Sequence, residues 1–138
     1  MEHPKDIGDR STLAIILALK DAGYAVLLPF GENTRYDLAI EADGSLHRVQ
    51  CKTGRMVKGA VYFRTASSYY HHPHPKVPAK HYRGQIDFFA VYCPETCGVY
   101  LIPIADVPVD SGASLRVDPP RNNQNRRSGL LPTTRSRA

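Results

Sequence analysis

Three residues, Asp37, Gln50 and Lys52, carry the groups needed for metal-assisted phosphate chemistry. Asp37 offers an anionic oxygen and Gln50 a neutral amide oxygen, a donor pair that suits Mg²⁺ or Mn²⁺ rather than zinc. A lysine beside such an ion can stabilise a pentavalent phosphate or help to orient a metal-bound water. The alternative interpretation is an ordinary Asp–Lys ion pair on a solvated sheet face.

A hairpin is expected to bring these three residues together. Residues 36–41 and 46–53 alternate in polarity around the turn sequence Asp43-Gly44, which is a strong hairpin signal. With these two turn residues, Ala42 faces Ser45, and the same register places Asp37 across from Gln50 and diagonal to Lys52. Side chains alternate along a strand, so the opposite side is predicted to be the core face. That core face consists of Leu38, Ile40, Val49 and Cys51.

The remaining elements are predicted from caps, turns and apolar runs. A helix is expected from an N-cap at Asp6 through residues 11–22, with Gly23 as its stop, and it should be largely buried because it is apolar on most sides. Further strands are predicted within residues 24–30, 60–65, 86–93, 98–104 and 115–117. One helix followed by a strand meander indicates an α/β or α+β domain with a mixed sheet.

Length, charge and composition narrow the classes of function. The 138 residues favour one domain, and 18 Lys+Arg against 13 Asp+Glu give a net charge of +5. Residues 44–86 contain eight Lys or Arg and no acid, so a polyanion is a plausible partner. The alternative is a globular protein with a solvated basic face. We expect no membrane span, no signal peptide and three reduced cysteines, and therefore a cytoplasmic protein.

The motif Tyr36-Asp37 followed by Gln50-Cys51-Lys52 resembles the signature of the PD-(D/E)XK nuclease superfamily. A wider string is more specific and resembles the group that contains the group I intron homing endonuclease, in which Gln replaces the second acid. The resemblance spans roughly Ile7 to Gln124. It rests on residues 28–33, 35–38, 49–55, 86–95, 99–104 and 115–124.

The resemblance implies an α/β fold with a restriction-endonuclease-like core, in which helices flank a mixed β-sheet. It implies an endonuclease-like domain over residues 1–124 and an Arg-rich tail over 125–138. Asp37 would be the central metal ligand, Gln50 would replace the second acid, and Lys52 would be the catalytic lysine. Asp9 stands where relatives commonly have Glu after Gly, so it would reach the metal directly or through water. Its alternative role is a first-turn carboxylate favoured by the helix dipole.

The implied activity is hydrolysis of double-stranded DNA with Mg²⁺ as the cofactor and Mn²⁺ as a substitute for it. Arg55, Lys58 and Arg64 would contact the DNA backbone, and a homodimer or homotetramer would supply the two active sites that cutting both strands requires. A Holliday junction resolvase-like enzyme and a non-catalytic DNA-binding module on the same scaffold are the alternatives. The resemblance gives Asp87 a structural role. The segment with His71, His72 and His74, flanked by Tyr69, Tyr70 and Tyr82, is expected to be mainly loop, without structural zinc.

Overall fold

The structure is a computed structural model, and it describes residues 2–31, 34–65, 84–107 and 111–116. Its elements are, in chain order, α1 (Pro4–Asp21), β1 (Ala25–Leu27), β2 (Leu38–Ala42), β3 (Ser45–Thr53), β4 (Arg55–Val57), β5 (Ala60–Arg64), β6 (Phe88–Cys93), β7 (Gly98–Pro103), a 3₁₀ helix (Ile104–Asp106) and β8 (Gly112–Arg116). No helix in these ranges is long and apolar enough to cross a membrane. The predictions for residues 66–83 and for the tail at 125–138 lie outside the described residues.

Two sheets organise the chain. The central sheet has the strand order β1-β2-β3-β6-β7, and a smaller sheet has the order β4-β5-β8. Strands β3 and β6 run parallel, whereas the other paired strands of the central sheet are antiparallel. The predicted α/β fold with a mixed sheet is therefore confirmed. In the described residues, α1 covers one face of the central sheet and the smaller sheet covers part of the other.

Helix α1 begins two residues before the predicted cap. The His3 side chain accepts a hydrogen bond from the Lys5 backbone N–H at 3.1 Å, and Pro4 occupies the first helical position. Proline suits that position because its φ is already helical and its missing N–H has no helical partner to lose. The prediction of Asp6 as the N-cap is therefore wrong. The predicted stop is confirmed, since Gly23 has a φ of 99° just past the last turn.

The prediction that α1 is largely buried is also wrong. Its buried residues are Ser11, Ile15, Ala18 and Leu19, which lie on one side of the helix. Leu13 and Leu17 are 66% and 62% exposed, respectively. A helix that packs on a sheet buries the stripe that faces the sheet, however apolar its other sides are. Apolar composition alone therefore overestimated the burial of this helix.

Two hydrophobic cores lie on the two faces of the central sheet. The first packs α1 against the predicted core face of the hairpin, in which Leu38, Ile40 and Val49 are at most 1% exposed and Cys51 is partly buried. The second packs the central sheet against the smaller sheet through Phe63, Phe89 and their neighbours. The core-face prediction is thereby confirmed.

The predicted β2–β3 hairpin has the expected register, with Ala42 opposite Ser45 and Leu38 opposite Val49. Asp43 and Gly44 both have positive φ, 54° and 79°, as a type I′ turn requires. Strand β4 was not predicted. Its turn into β5 uses Lys58 and Gly59, which also both have positive φ. Strand β8 begins three residues before the strand predicted at 115–117.

Candidate active site

Asp37 lies in the bend that leads into β2, beyond the last paired residues of the hairpin. The regular ladder ends at Leu38 opposite Val49, and the Asp37 backbone N–H donates to the Val49 carbonyl at 2.9 Å. The ring of Tyr36, the preceding residue, packs against the second core. Asp37 is therefore held beside β3 as predicted, although it does not form a ladder pair with Gln50.

The side chain of Asp37 is fixed by the backbone of β3. Its Oδ2 atom accepts a hydrogen bond from the Cys51 N–H at 2.7 Å. The residue keeps a solvent-accessible side, but the protein around its carboxyl is dense enough that burial raises the pKa of Asp37. The Cys51 N–H and the charge of Lys52 lower that pKa and offset part of the effect. The carboxylate thus occupies a partly desolvated position next to the lysine.

Lys52 lies on β3, is partly buried, and is surrounded by charged groups from other segments. Burial lowers the pKa of Lys52 to about 8, against the opposing effect of the Asp37 charge. The positive charges of Arg64 and Arg35 lower the pKa further. One carboxylate and two guanidinium groups therefore act on Lys52 at this end of the hairpin.

Gln50 shares a face of β3 with Lys52, because side chains two positions apart point the same way. It lies beside Phe89 of the parallel neighbour β6, and Phe89 belongs to the second core. Gln50 is itself partly buried. The amide and the ammonium are thus on the side of the central sheet that faces the smaller sheet.

Asp9 lies on the first half of α1 and is exposed. The helix is attached to β3 near this point, because the hydroxyls of Ser11 and Thr53 are 2.6 Å apart. Among the described residues, Asp9 makes no hydrogen bond or ion pair to the hairpin. Its assignment to the site therefore stays a prediction.

The three predicted DNA-contacting residues lie on the smaller sheet. Arg55 is the first residue of β4, Lys58 is in the tight turn, and Arg64 ends β5. All three are exposed. The guanidinium of Arg55 lies over the ring of Tyr62, with its carbon 5.5 Å from the ring centroid. Arg64 also approaches the candidate site, since its charge acts on Lys52.

Arg35 is the site residue that sequence reasoning did not assign. It lies two residues before Asp37, in a segment outside the regular strands, so no alternation or turn pattern pointed to it. Its Nε and Nη2 atoms are buried, and its charge acts on Lys52. The available signals were its proximity to Asp37 along the chain and its place in the resemblance over residues 35–38.

Asp87 joins two parallel strands below the site. Its Oδ2 atom accepts the Arg48 backbone N–H at 2.7 Å, and the Asp87 N–H donates to the Arg48 carbonyl at 2.9 Å. The Arg48 side chain adds a contact at 3.4 Å. Despite partial burial, these interactions lower the pKa of Asp87. They support the structural role expected for this residue, at the start of the β3–β6 pairing.

Metal-ligating side chains are not clustered in the described part of the chain. Among them, no three His, Cys, Asp or Glu side chains form a group that could hold a metal ion. A cation site there would depend on Asp37 together with a neutral oxygen such as that of Gln50, which is the chemistry of Mg²⁺. The His-rich segment lies outside the described residues.

Comparison with known proteins identifies a family and a similar solved structure. The family profile described as PD-(D/E)XK endonuclease matches residues 2–131. The structure of the bacterial homing endonuclease I-Ssp6803I matches with a TM-score of 0.63 and 23% identity, covering 88% of this chain and 80% of that chain. At this identity the likeness shows a shared fold. A search of curated proteins finds no match.

Proposed function

Because the chain belongs to the PD-(D/E)XK endonuclease family, we propose that it hydrolyses phosphodiester bonds of double-stranded DNA with the help of a divalent cation. The site for this reaction is formed by Asp37, Gln50 and Lys52. The family profile matches the chain as far as residue 131, beyond the domain boundary predicted at residue 124. That boundary therefore stays a prediction.

The observation that carries the proposal is the charge of the site. The charges of Arg35 and Arg64, which come from two other segments, both act on Lys52 beside the carboxylate of Asp37. Like charges in a partly desolvated place repel one another, and an anion that binds between them removes that cost. A phosphate diester is such an anion, and planar guanidinium groups match its oxygens. The charge arrangement therefore favours DNA over an uncharged substrate.

The residues present fit a Mg²⁺ or Mn²⁺ ion. The hydrogen bond from Cys51 uses one acceptor position of the Asp37 carboxylate, which has about four. Gln50 would add an amide oxygen, and Asp9 would add a second carboxylate directly or through water. A bound ion would supply Lewis-acid polarisation and a lowered pKa for its water. The neighbouring cations oppose metal binding, so affinity for the ion should be weak without DNA.

The protein's own groups have separate tasks in this proposal. Asp37 fixes the position of the ion because its carboxylate is held by the Cys51 N–H. The Lys52 ammonium stabilises the negative charge that grows on the phosphate, as a preorganised electrostatic group does. Arg35 and Arg64 hold the phosphate in the site. Arg55 and Lys58 contact neighbouring phosphates, which give affinity and register but little sequence information.

We extend the proposal to the assembly: the active form is a homodimer or homotetramer. One chain of this family contributes one site, and cutting both strands takes two. Sedimentation of the protein with and without duplex DNA would test this separately from activity.

The proposal is tested by incubating the purified protein with supercoiled plasmid. Cleavage is expected with Mg²⁺ or Mn²⁺ and should stop when EDTA removes the ion. Asp37→Asn should abolish it. Glu41→Gln is the matched control, because it makes the same acid-to-amide change at an exposed position of the same hairpin. Cleavage that persists in EDTA or in the Asp37→Asn protein would refute the proposed role of the site.

A further inference from the structure

The outer face of the smaller sheet carries positive charge from three strands. The register pairs Arg55 with Tyr62, Arg64 with Gly112 and Arg116 with Ala60, so these residues share one face. The opposite face, with Val61, Phe63 and Leu115, packs in the second core. Among the described residues, the outer face holds no acid. Its members are Arg55, Val57, Ala60, Tyr62, Arg64, Gly112, Ser114 and Arg116, with Lys58 at the adjoining turn.

Arg55 is held in place on this face by an aromatic ring. The ring of Tyr62 lies beneath the Arg55 guanidinium, whose carbon is 5.5 Å from its centroid. The same ring crosses over Gly112 of β8, where an added Cβ atom would come within 2.6 Å of the Tyr62 Cε1 atom. Glycine therefore lets the ring lie against the strand. A stacked guanidinium keeps its N–H groups available to a ligand while losing little further freedom on binding.

The face is continuous with the candidate active site. Arg64 ends β5 on this face and its charge acts on Lys52. The chain also passes from Lys52 to Arg55 through only Thr53 and Gly54. A polyanion bound at Lys52 would therefore meet this face next.

We propose that the outer face of the β4-β5-β8 sheet binds the DNA backbone, with Arg116 as a further phosphate contact and Tyr62 as the residue that positions Arg55. The inference rests on the proposed DNA substrate and adds a strand, β8, that lies about 50 residues beyond its partner β5 in the sequence. Charge complementarity favours phosphates here, because the described residues of the three strands and the adjoining turn give this face four cations and no acid. The carboxylate of Glu95 lies at the edge of β4, where it accepts the Met56 N–H at 2.7 Å. Contacts of this kind do not depend on sequence, so any duplex serves as a probe.

The test for Arg116 is the salt dependence of DNA binding. Fluorescence anisotropy of a labelled duplex is followed in EDTA between about 50 and 200 mM salt, a range in which each phosphate contact contributes about −0.9 to the slope of log K against log salt. Arg116→Gln should make the slope less steep by about 0.9. Between the two salt concentrations, the fold-loss of DNA affinity should then be about 3.5 times smaller for the variant than for the wild type. Lys20→Gln is the matched control, since Lys20 is exposed on α1, across the central sheet.

The test for Tyr62 is a double-mutant cycle with Arg55. Tyr62→Leu should weaken binding several-fold, whereas Tyr62→Phe, which keeps the ring, should restore it. If Tyr62 acts through Arg55, the double variant Arg55→Gln/Tyr62→Leu should bind no more weakly than Arg55→Gln alone. Denaturation midpoints of all variants identify any loss of folding.

The outcomes separate this inference from the proposed function. If the wild type binds and cuts DNA but Arg116→Gln keeps the wild-type slope, the role of Arg116 is wrong and the nuclease proposal stands. If the double variant loses DNA affinity by the product of the two single-variant losses, Tyr62 does not position Arg55. If the wild type shows no salt-dependent binding, both proposals fail.

Discussion

Gly54 is the position at which a single added methyl group should be most costly. It is the one residue between β3 and β4, is buried, and donates its N–H to the Tyr92 carbonyl at 2.8 Å. A Cβ atom there would lie 2.6 Å from Val61 Cγ1 and 2.8 Å from Val91 Cγ1. Both valines are fully buried. Because valine has few χ1 alternatives, neither methyl group can rotate away easily.

The cost can be estimated from these contacts. Overpacking a well-filled core costs about 1–3 kcal/mol. Alanine has less conformational freedom than glycine in the unfolded chain, and this difference stabilises the folded state by about 0.4–1 kcal/mol. Gly54→Ala should therefore lower the free energy of unfolding by about 1–2 kcal/mol. If β4 moves to relieve the contact, Arg55 moves relative to Lys52, and DNA cleavage should fall as well.

The assay is urea denaturation of Gly54→Ala beside Gly8→Ala. Gly8 lies inside α1 with nothing within 4 Å of an added Cβ, so its substitution should stabilise the protein by about 0.5–1 kcal/mol. The two identical changes should thus have opposite signs. A Gly54→Ala protein as stable as the wild type would refute the packing argument.

Three further predictions concern the site and its support. Asp87→Asn should lower the free energy of unfolding by about 1–2 kcal/mol, because a charged acceptor of the Arg48 N–H is lost. The pKa of Asp87 is lower in the folded protein than its ordinary value of 3.8. The stability that the carboxylate contributes is therefore fully present above pH 3.8 and is lost as the pH falls through the pKa of the folded protein. Below that pH, wild type and variant should have the same free energy of unfolding. Gln50→Glu should lower the Mg²⁺ concentration for half-maximal cleavage several-fold, because it adds a carboxylate; an unchanged metal requirement would place Gln50 outside the metal site. The pKa of Lys52 is about 8, so cleavage that needs its ammonium should decline as pH rises through that value. Arg35→Gln should move this decline to higher pH, and an unmoved pH profile would contradict the proximity of the two charges.

Turn and capping residues predicted the parts of the fold that neighbouring residues in the sequence determine. The register of β2 and β3 follows from Asp43-Gly44, since a two-residue turn with two positive φ values permits one alignment. The cap of α1 was predicted at the wrong residue because two signals competed there. Pro4, with its fixed φ, begins the helix and the His3 side chain caps it, so Asp6 lies inside the first turn.

Long-range pairing determines what the sequence did not predict. Strand β8 pairs with β5 from about 50 residues away, so nothing local indicated that Arg116 lies beside Ala60. Arg35 lies in a non-repetitive segment, and its charge acts on Lys52 only because the fold places the two segments near each other. The placement of Asp37 beside Lys52 was predictable because both belong to one hairpin or its immediate approach.

The central claim is that this hairpin is a nuclease site, and Lys52 tests it most directly. Lys52→Ala and Lys20→Ala should be compared in plasmid cleavage with Mg²⁺, after equal binding to the duplex is established. Lys52→Ala should leave the plasmid supercoiled, whereas Lys20→Ala, changed on the exposed side of α1, should cut like the wild type. Cleavage by the Lys52→Ala protein at the wild-type rate would contradict the claim.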